Sequence, residues 1–300
     1  MKTSRERTKS GAADRGWPLV LAVLGALVVI GWAYMAAMIA DMIPAMDMSE
    51  TGPGMGLFNI FNSYRGLSAE ARAALAVLCL PNQVATFGMP AETWGWLDAG
   101  KVFLMWLMMS LAMMVPSAVP MFRAYMRRHH AEMPLRKLQF ATLLVALGYT
   151  LIWIGYAVAA TGAQWLMTQV GYLSPMMAPI SLAFSASVLV AAGIYQFTPA
   201  KRACLTRCWY PRFSIGPHKG TLGALEEGVA QGIACLGCCW AIMAVMFAVG
   251  LMNIIWIAIL GVLIAVEKTF AYDGIRRFIG VFMVVWGCAL AAFAQSGILI

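Results

Sequence analysis

Long apolar stretches, each flanked by short charged or polar segments, repeat along most of the chain. An α-helix needs about 20 apolar residues to cross a bilayer, and most of these stretches approach or exceed that length. They run over residues 17–40, 100–122, 138–160, 174–197, 229–250, 254–267 and 278–298. The pattern predicts an all-α transmembrane bundle of about seven spans, with the N-terminus in the cytoplasm and the C-terminus in the periplasm.

The composition supports a membrane protein and argues against a soluble nucleic-acid-binding protein. Hydrophobic residues make up 62% of the 300 residues and charged residues only 11%, with a mean hydropathy of +0.77. Soluble domains contain about 25% charged residues. The net charge of +8 comes mostly from short loops beside apolar stretches, which is the positive-inside pattern. We therefore expect a multi-pass protein of the bacterial cytoplasmic membrane, with the lipid bilayer as a partner and no nucleic acid.

The segments before residue 100 are expected to differ from the main membrane domain. Residues 1–16 are charged and mostly polar, and they predict a disordered cytoplasmic tail. Residues 17–40 predict a first transmembrane helix, although small residues near Ala40 leave signal-peptide cleavage open. Residues 41–99 contain six acidic and two basic residues, so they predict a periplasmic loop with a short helix near residues 68–80.

The remaining residues, 100–300, predict a six-helix membrane domain. Within it, residues 198–227 carry several basic residues and are expected to form a cytoplasmic loop. Gly228 and Gly232 follow this loop with the spacing that permits close contact between helices. Glu267 ends the sixth apolar stretch, where an acidic residue is typical of a solvated interface; a functional role is the alternative.

Five of the seven cysteines lie in one stretch, between positions 204 and 239. Cys204 and Cys208 are four residues apart, while Cys235, Cys238 and Cys239 follow an i, i+3, i+4 spacing. On helices, each group would share one face. Thiolates are preferred ligands of soft ions, so the pattern predicts a site for copper as Cu(I), with zinc as a second candidate. The alternative is that these small residues fill tight helix contacts.

Methionine thioethers are expected to extend this sulfur-rich site. The candidate ligands on helices are Met105, Met109, Met243 and Met246. Met105 and the methionines that follow it repeat the offsets of the cysteines, so a second sulfur-lined helix face is predicted. Residues 42–55 contain four more methionines that could capture Cu(I) on the outer side. Because 23 of the 300 residues are methionine, simple packing stays an alternative.

Other chemistry is weakly represented. His129 and His130 are adjacent, so on a helix their side chains diverge by about 100° and cannot easily share one ion. The sequence has no Walker-type phosphate loop and few charges inside the apolar stretches. These features argue against ATP hydrolysis and against a carboxylate-based proton relay. We therefore expect no enzymatic activity.

Three motifs resemble a known bacterial family. They are WLMMSLAMMVPS at residues 106–117, YQFTPAKRACLTRCWYP at 195–211 and CLGCCW at 235–240, followed by Glu267 and Lys268. From residue 98 to residue 298, the sequence resembles a family described as predicted metal-binding integral membrane proteins. The resemblance implies a helical membrane fold and a metal site. It does not extend to the methionine-bearing segment before residue 98.

Two functions of different classes are compatible with these patterns. The first is handling of Cu(I), by uptake or by holding the ion for delivery to a cuproenzyme or metallochaperone. The alternative is a structural or assembly subunit of a larger membrane complex, in which Gly228, Gly232 and tryptophans at helix ends contact partners. A weaker candidate is a thiol–disulfide oxidoreductase that uses Cys235 and Cys238 as a C-x-x-C pair. Such pairs lie at helix N-termini, whereas Cys235 is predicted inside a helix.

Overall fold

The computed structural model of the protein describes residues 4–43, 47–61, 94–174, 177–213 and 220–296. Within these ranges the chain forms nine α-helices and no named β-strand, so the predicted all-α fold is confirmed. The helices are α1 (Ser4–Met42), α2 (Trp96–His129), α3 (Leu135–Gln169), α4 (Leu182–Tyr195), α5 (Pro199–Trp209), α6 (Gly220–Ala244), α7 (Met246–Val249), α8 (Ile254–Thr269) and α9 (Asp273–Gln295).

The centre of the bundle is formed by α2 and by the span that α6 and α7 make together. Their most apolar stretches are 67% and 72% buried, whereas those of α1 and α9 are only 22% buried. The peripheral helices pack in pairs with inner ones: α1 along α2, α3 along α6, and α9 along α4. The cysteine-bearing helix α6 is therefore enclosed by other helices along most of its length.

Five helices are long and apolar enough to cross a membrane, and the α4–α5 pair, bent by 64°, would make a sixth span. The helix α8 has 16 residues, which corresponds to about 24 Å, shorter than the roughly 30 Å of the hydrocarbon core. These lengths and compositions are consistent with a membrane protein. Seven spans and the predicted orientation of the termini stay predictions.

Several helices begin earlier or end later than the apolar stretches that predicted them. The helix α1 is continuous from Ser4, so most of the tail expected to be disordered is helical. Similarly, α2 extends to His129 and α3 to Gln169. Backbone hydrogen bonds continue through charged and polar residues at helix ends, and hydropathy does not register them.

The largest difference from the predicted fold lies in residues 198–227, which were expected to form a loop. They contain α5, and α6 already begins at Gly220. The Thr198 side chain caps α5 by accepting a hydrogen bond from the Lys201 backbone N–H at 3.2 Å. Pro199 takes the first helical position, where a missing N–H costs little. Residues 214–219 lie outside the described residues.

The methionine-bearing segment before α2 is folded against the bundle. It forms two 3₁₀ helices, Met48–Thr51 and Met55–Phe61, and the side chains of Met48 and Met55 are fully buried. The Asn253 side chain donates a hydrogen bond to the Pro53 carbonyl at 2.9 Å, which ties this segment to the start of α8. Met46 and the short helix predicted near residues 68–80 lie outside the described residues.

Gly228 and Gly232 pack against α3, as the predicted close helix contact requires. A Cβ atom on Gly228 would overlap the Val145 carbonyl, and one on Gly232 would lie 2.8 Å from Ile152 Cγ1. Because both glycines are covered by this chain's own α3, they do not provide the partner surface considered under the assembly-subunit alternative.

Candidate metal centre

The three cysteines of α6 meet on one buried face of that helix. Cys235, Cys238 and Cys239 are each at most 1% exposed, and their sulfur atoms lie within 4.8 Å of one another. The Sγ atoms of Cys238 and Cys239 are 3.2 Å apart. The i, i+3, i+4 spacing explains this convergence, because such positions are neighbours on a helix surface.

A fourth sulfur comes from α5. The Sγ atom of Cys208 lies 3.6 Å from that of Cys238. The two cysteine groups of the sequence therefore meet through this pair. We call Cys208, Cys235, Cys238 and Cys239 the sulfur cluster.

Cys204 also reaches α6 but occupies a different place. Its Sγ atom lies against Gly237, where an added Cβ would approach it to 2.5 Å. Glycine at this position thus permits the close approach of α5 and α6. The group of three converging sulfurs contains neither Cys204 nor Cys208, but among the contacts of the described residues Cys208 reaches one of these sulfurs, at 3.6 Å. The role of Cys204 as a metal ligand stays a prediction.

Two side chains that the sequence did not suggest contact Cys235. Lys268 Nζ donates hydrogen bonds to Cys235 Sγ at 3.0 Å and to Ser117 Oγ at 2.9 Å. The Tyr149 hydroxyl lies 2.9 Å from Cys235 Sγ and 3.1 Å from the Met114 carbonyl oxygen. The Lys268 ammonium group can balance the negative charge of a thiolate at Cys235, which is the form of cysteine that binds soft metals.

A buried ion pair fixes α5 beside the sulfur cluster. Lys201 Nζ lies 2.8 Å from Glu267 Oε2, and both side chains are completely buried. The same ammonium group donates a hydrogen bond to the carbonyl oxygen of Cys238. Trp209 Nε1 adds a hydrogen bond of 2.9 Å to the Glu267 carbonyl oxygen. Glu267 is therefore not the solvated interfacial residue that its position at a helix end predicted.

The candidate methionine ligands are all buried, at increasing distances from the cysteines along the bundle. Met243 lies one turn beyond Cys239, about 6 Å along the axis of α6, and Met246 lies beyond the break that begins α7. Met105 and Met109 lie on α2, on the N-terminal side of Ser117. Their burial agrees with both coordination and packing, so their role as ligands stays a prediction.

The two histidines have ordinary partners. His129 is buried, and its Nδ1 atom lies 3.0 Å from Glu132 Oε2. His130 is half-buried, with its Nδ1 atom 2.7 Å from the Arg127 carbonyl oxygen. The two side chains point to different partners, in agreement with the prediction that adjacent histidines cannot easily share one ion. His218 lies outside the described residues.

The C-x-x-C alternative fits the structure poorly. Because α6 begins at Gly220, Cys235 lies about four turns into the helix. The N-terminal dipole acts within the first turn, so it does not reach this thiol. The group of converging metal-binding side chains found among the described residues consists of cysteines alone.

The sulfur cluster suits a soft metal ion. Zinc–sulfur bonds of about 2.3 Å in a tetrahedral site place two ligands about 3.8 Å apart, and the three α6 sulfurs are already within 4.8 Å of one another. Cu(I) also prefers thiolates. An all-helical bundle with apolar spans and a buried group of thiols is thus a membrane-type fold with a candidate centre for soft metals.

Comparison with known families agrees with this class. Residues 103–290 match the family PpoB2, described as a copper chaperone. This match covers more than half of the 300 residues and contains every member of the sulfur cluster, so the chain belongs to the copper chaperone family PpoB2. Neither a search of curated proteins nor a search of solved structures found a significant match.

Sequence reasoning missed Tyr149, Lys201, Lys268 and Ser117 as parts of the site. For Lys268 a signal existed, because a cation directly after an acid at the end of an apolar stretch is a candidate for burial. Lys201 follows the Thr-Pro helix start, which predicts a helix and hence a defined side-chain direction. Tyr149 and Ser117 carried no such signal, because only the packing of α2 and α3 against α6 brings them to Cys235.

Proposed function

We propose that this protein is an integral membrane copper chaperone that binds Cu(I) at the sulfur cluster and holds it for delivery to a cuproenzyme or a soluble metallochaperone. The observation that carries the proposal is the convergence of four cysteine sulfurs from α5 and α6 inside the segment that matches the copper chaperone family. The same site could also take up Cu(I) across the membrane before delivery, and this uptake is the second form of the proposed function.

The charge of the site fits a soft ion bound by thiolates. The cluster is enclosed by helices, where uncompensated charge is costly. Cu(I) bound by two thiolates leaves one negative charge, which the Lys268 ammonium group beside Cys235 can balance. The Lys201–Glu267 pair is neutral as a unit. Zinc bound by three thiolates would carry the same charge, so it is the competing ion in the test below.

Location and direction belong to the same proposal. Basic residues near the α2–α3 turn and on α5 favour a cytoplasmic position for that end of the bundle. The bacterial cytoplasmic membrane is the proposed location. Buried methionines in the two 3₁₀ helices, in α2 and in α7 would then lie on the outer side of the cysteines. Binding and transfer of an ion need no catalytic group, and we propose no enzymatic reaction.

The first prediction concerns copper stoichiometry. Purified protein loaded with Cu(I) in reducing detergent buffer should retain copper, and a variant with Cys235→Ser, Cys238→Ser and Cys239→Ser should lose it, because hydroxyl groups are poor ligands for soft ions. Mass spectrometry of metal content after desalting measures both, with zinc loading in parallel.

A matched control is available on α9. Cys288 is exposed to the surroundings of the bundle, so Cys288→Ser should leave copper content unchanged. Retention of copper by the triple variant, or its absence from the wild-type protein, would contradict the proposed function. Retention of zinc but not of copper would show that zinc is the ion that the site binds.

A further inference from the structure

A small cavity borders the sulfur cluster at the end of the bundle where α5 lies. Its volume is about 30 Å³, which exceeds the roughly 10–15 Å³ that one water molecule requires. The residues that define its chemistry are Ser117, Tyr149, Cys208, Gln231, Cys235 and Lys268. Four of these carry hydroxyl, amide or ammonium groups, so the cavity can hold a polar guest beside two thiols.

The cavity lies on one identifiable side of the cysteines. Gln231 is one helical turn before Cys235 on α6, and Lys268 lies in the last turn of α8. In the opposite direction along α6, Met243 and Met246 are fully buried. The sulfur cluster therefore adjoins polar space toward α5 and packed core toward α7.

Cys208 differs from the other members of the sulfur cluster. It is half-buried, whereas the three α6 cysteines are at most 1% exposed. It is carried by a different helix, and it both lines the cavity and lies 3.6 Å from Cys238 Sγ. One sulfur atom thus connects the buried thiols with the polar space.

We propose that Cys208 is the exchange ligand of the site, which passes Cu(I) between the α6 cysteines and a thiol-bearing partner that approaches at the α5 end. This inference rests on the proposed copper function. A Cu–S bond to Cys208 forms as one to an α6 cysteine breaks, and a Cu–S bond to the partner then forms as the bond to Cys208 breaks. Copper stays Cu(I), and the proton released by the incoming thiol passes to the cysteine that is set free.

The neighbouring thiol Cys204 makes this proposal specific. Cys204 lies one turn before Cys208 on the same helix and is likewise half-buried. Its sulfur lies against Gly237, and among the contacts of the described residues none joins it to an α6 sulfur, whereas Cys208 Sγ lies 3.6 Å from Cys238 Sγ. A general need for thiols on α5 would involve both residues, whereas exchange through the cavity involves Cys208 alone.

The test measures the rate of copper transfer from loaded full-length protein. Glutathione serves as the thiol probe, and bathocuproine disulfonate reports released Cu(I) by absorbance. We expect the wild-type rate to rise with glutathione. Cys208→Ser should retain copper on the three convergent α6 cysteines, yet transfer it about tenfold more slowly or slower still. Cys204→Ser should transfer copper at the wild-type rate. Cys208→Ala is a second variant at the exchange position, and a thermal melt of each variant shows whether slow transfer is due to misfolding.

Two results would overturn the exchange role and leave the proposed function intact. One is an unchanged transfer rate in a folded, copper-loaded Cys208→Ser variant. The other is loss of all copper from that variant, which would make Cys208 a permanent ligand. Wild-type protein that binds no copper would instead overturn the proposed function itself, and the exchange role with it.

A second measurement uses the unaltered protein. A short pulse of N-ethylmaleimide on metal-free protein, read by peptide mass spectrometry, should modify Cys208 before Cys235, Cys238 and Cys239, and prior loading with Cu(I) should slow that modification. Modification of any α6 cysteine first would contradict an exchange position at the cavity.

Discussion

At the residue scale, Cys235 has the most specialised surroundings in the sulfur cluster. It is the cysteine that contacts both Lys268 and Tyr149. The ammonium group also bonds Ser117, which fixes its direction. An ammonium group 3.0 Å from Cys235 Sγ offsets part of the cost of a negative sulfur among helices when this cysteine binds a metal as a thiolate.

This arrangement predicts the effect of Lys268→Met. The substitution keeps an apolar stem of similar length and removes the charged donor. Hydrogen bonds to charged groups contribute about 1.5–3 kcal/mol, so the Kd for Cu(I) should rise about 10- to 100-fold. Competition against a Cu(I) chelator of known affinity measures the change.

Lys101→Met is the matched control for this substitution. Lys101 is partly exposed and pairs with Asp98 at 3.2 Å near the start of α2, away from the cysteines. Its removal should leave copper affinity unchanged. Equal affinities of Lys268→Met and the wild-type protein would show that the ammonium group does not act on the bound ion.

The sequence predicted that cysteines form the centre, but it predicted only in part which of them come together in space. Local helix geometry brings Cys235, Cys238 and Cys239 together, and spacing alone predicts that. The separation of Cys204 from Cys208 depends on how α5 approaches α6, which the spacing within α5 does not determine. Lys268 likewise acquires its role through tertiary packing.

At the scale of elements, α5 is held in place chiefly by buried polar contacts. The Lys201–Glu267 pair joins α5 to α8, and the bond from Lys201 to the Cys238 carbonyl joins it to α6. Sequence reasoning assigned this region to a loop because basic residues there suggested solvent exposure. The Thr-Pro start at residues 198–199 was the available signal for a helix.

The ion pair predicts a non-additive effect on stability. Removal of one member of a buried pair leaves an uncompensated charge and costs about 3–5 kcal/mol. We therefore expect Lys201→Met and Glu267→Gln each to lower the free energy of unfolding by about that amount. The double variant Lys201→Met, Glu267→Gln should lose less than the sum of the single effects, because it leaves neither charge behind.

Chemical denaturation in detergent, followed by tryptophan fluorescence, measures this cycle. Arg202→Met provides a control on the same helix, since Arg202 is 66% exposed and lies 3.9 Å from Asp273, and it should cost little. Additive single effects would indicate that the two charges do not stabilise each other.

At the scale of the whole molecule, the two ends of the bundle differ in chemistry. At one end, Tyr125 in the last part of α2 stacks edge-on against Phe213, 5.4 Å away, just beyond α5. This end therefore combines the α2–α3 turn, α5 and the cavity beside the cysteines. At the other end, the two 3₁₀ helices with buried Met48 and Met55 pack on the start of α8.

Hydropathy predicted the class of fold and most of the long helices, but the number of spans depends on features it does not contain. The bend between α4 and α5 and the short length of α8 arise from Pro199, from the cap at Asn253 and from packing. The orientation of the protein in the membrane depends on the distribution of basic residues. This orientation also determines the side of the membrane on which copper is transferred.

Orientation is therefore the last prediction. An epitope tag inserted at Ala131, in the exposed α2–α3 turn, should be reached by antibody in bacterial spheroplasts only after permeabilisation. A tag at Gly54, between the two 3₁₀ helices, should be reached in intact spheroplasts. Exposed turns tolerate insertions, and copper content of each tagged protein checks that it is folded. If both tags reported the opposite sides, the cysteines and their cavity would face the outer compartment, and Cu(I) held by the sulfur cluster would be passed to partners there.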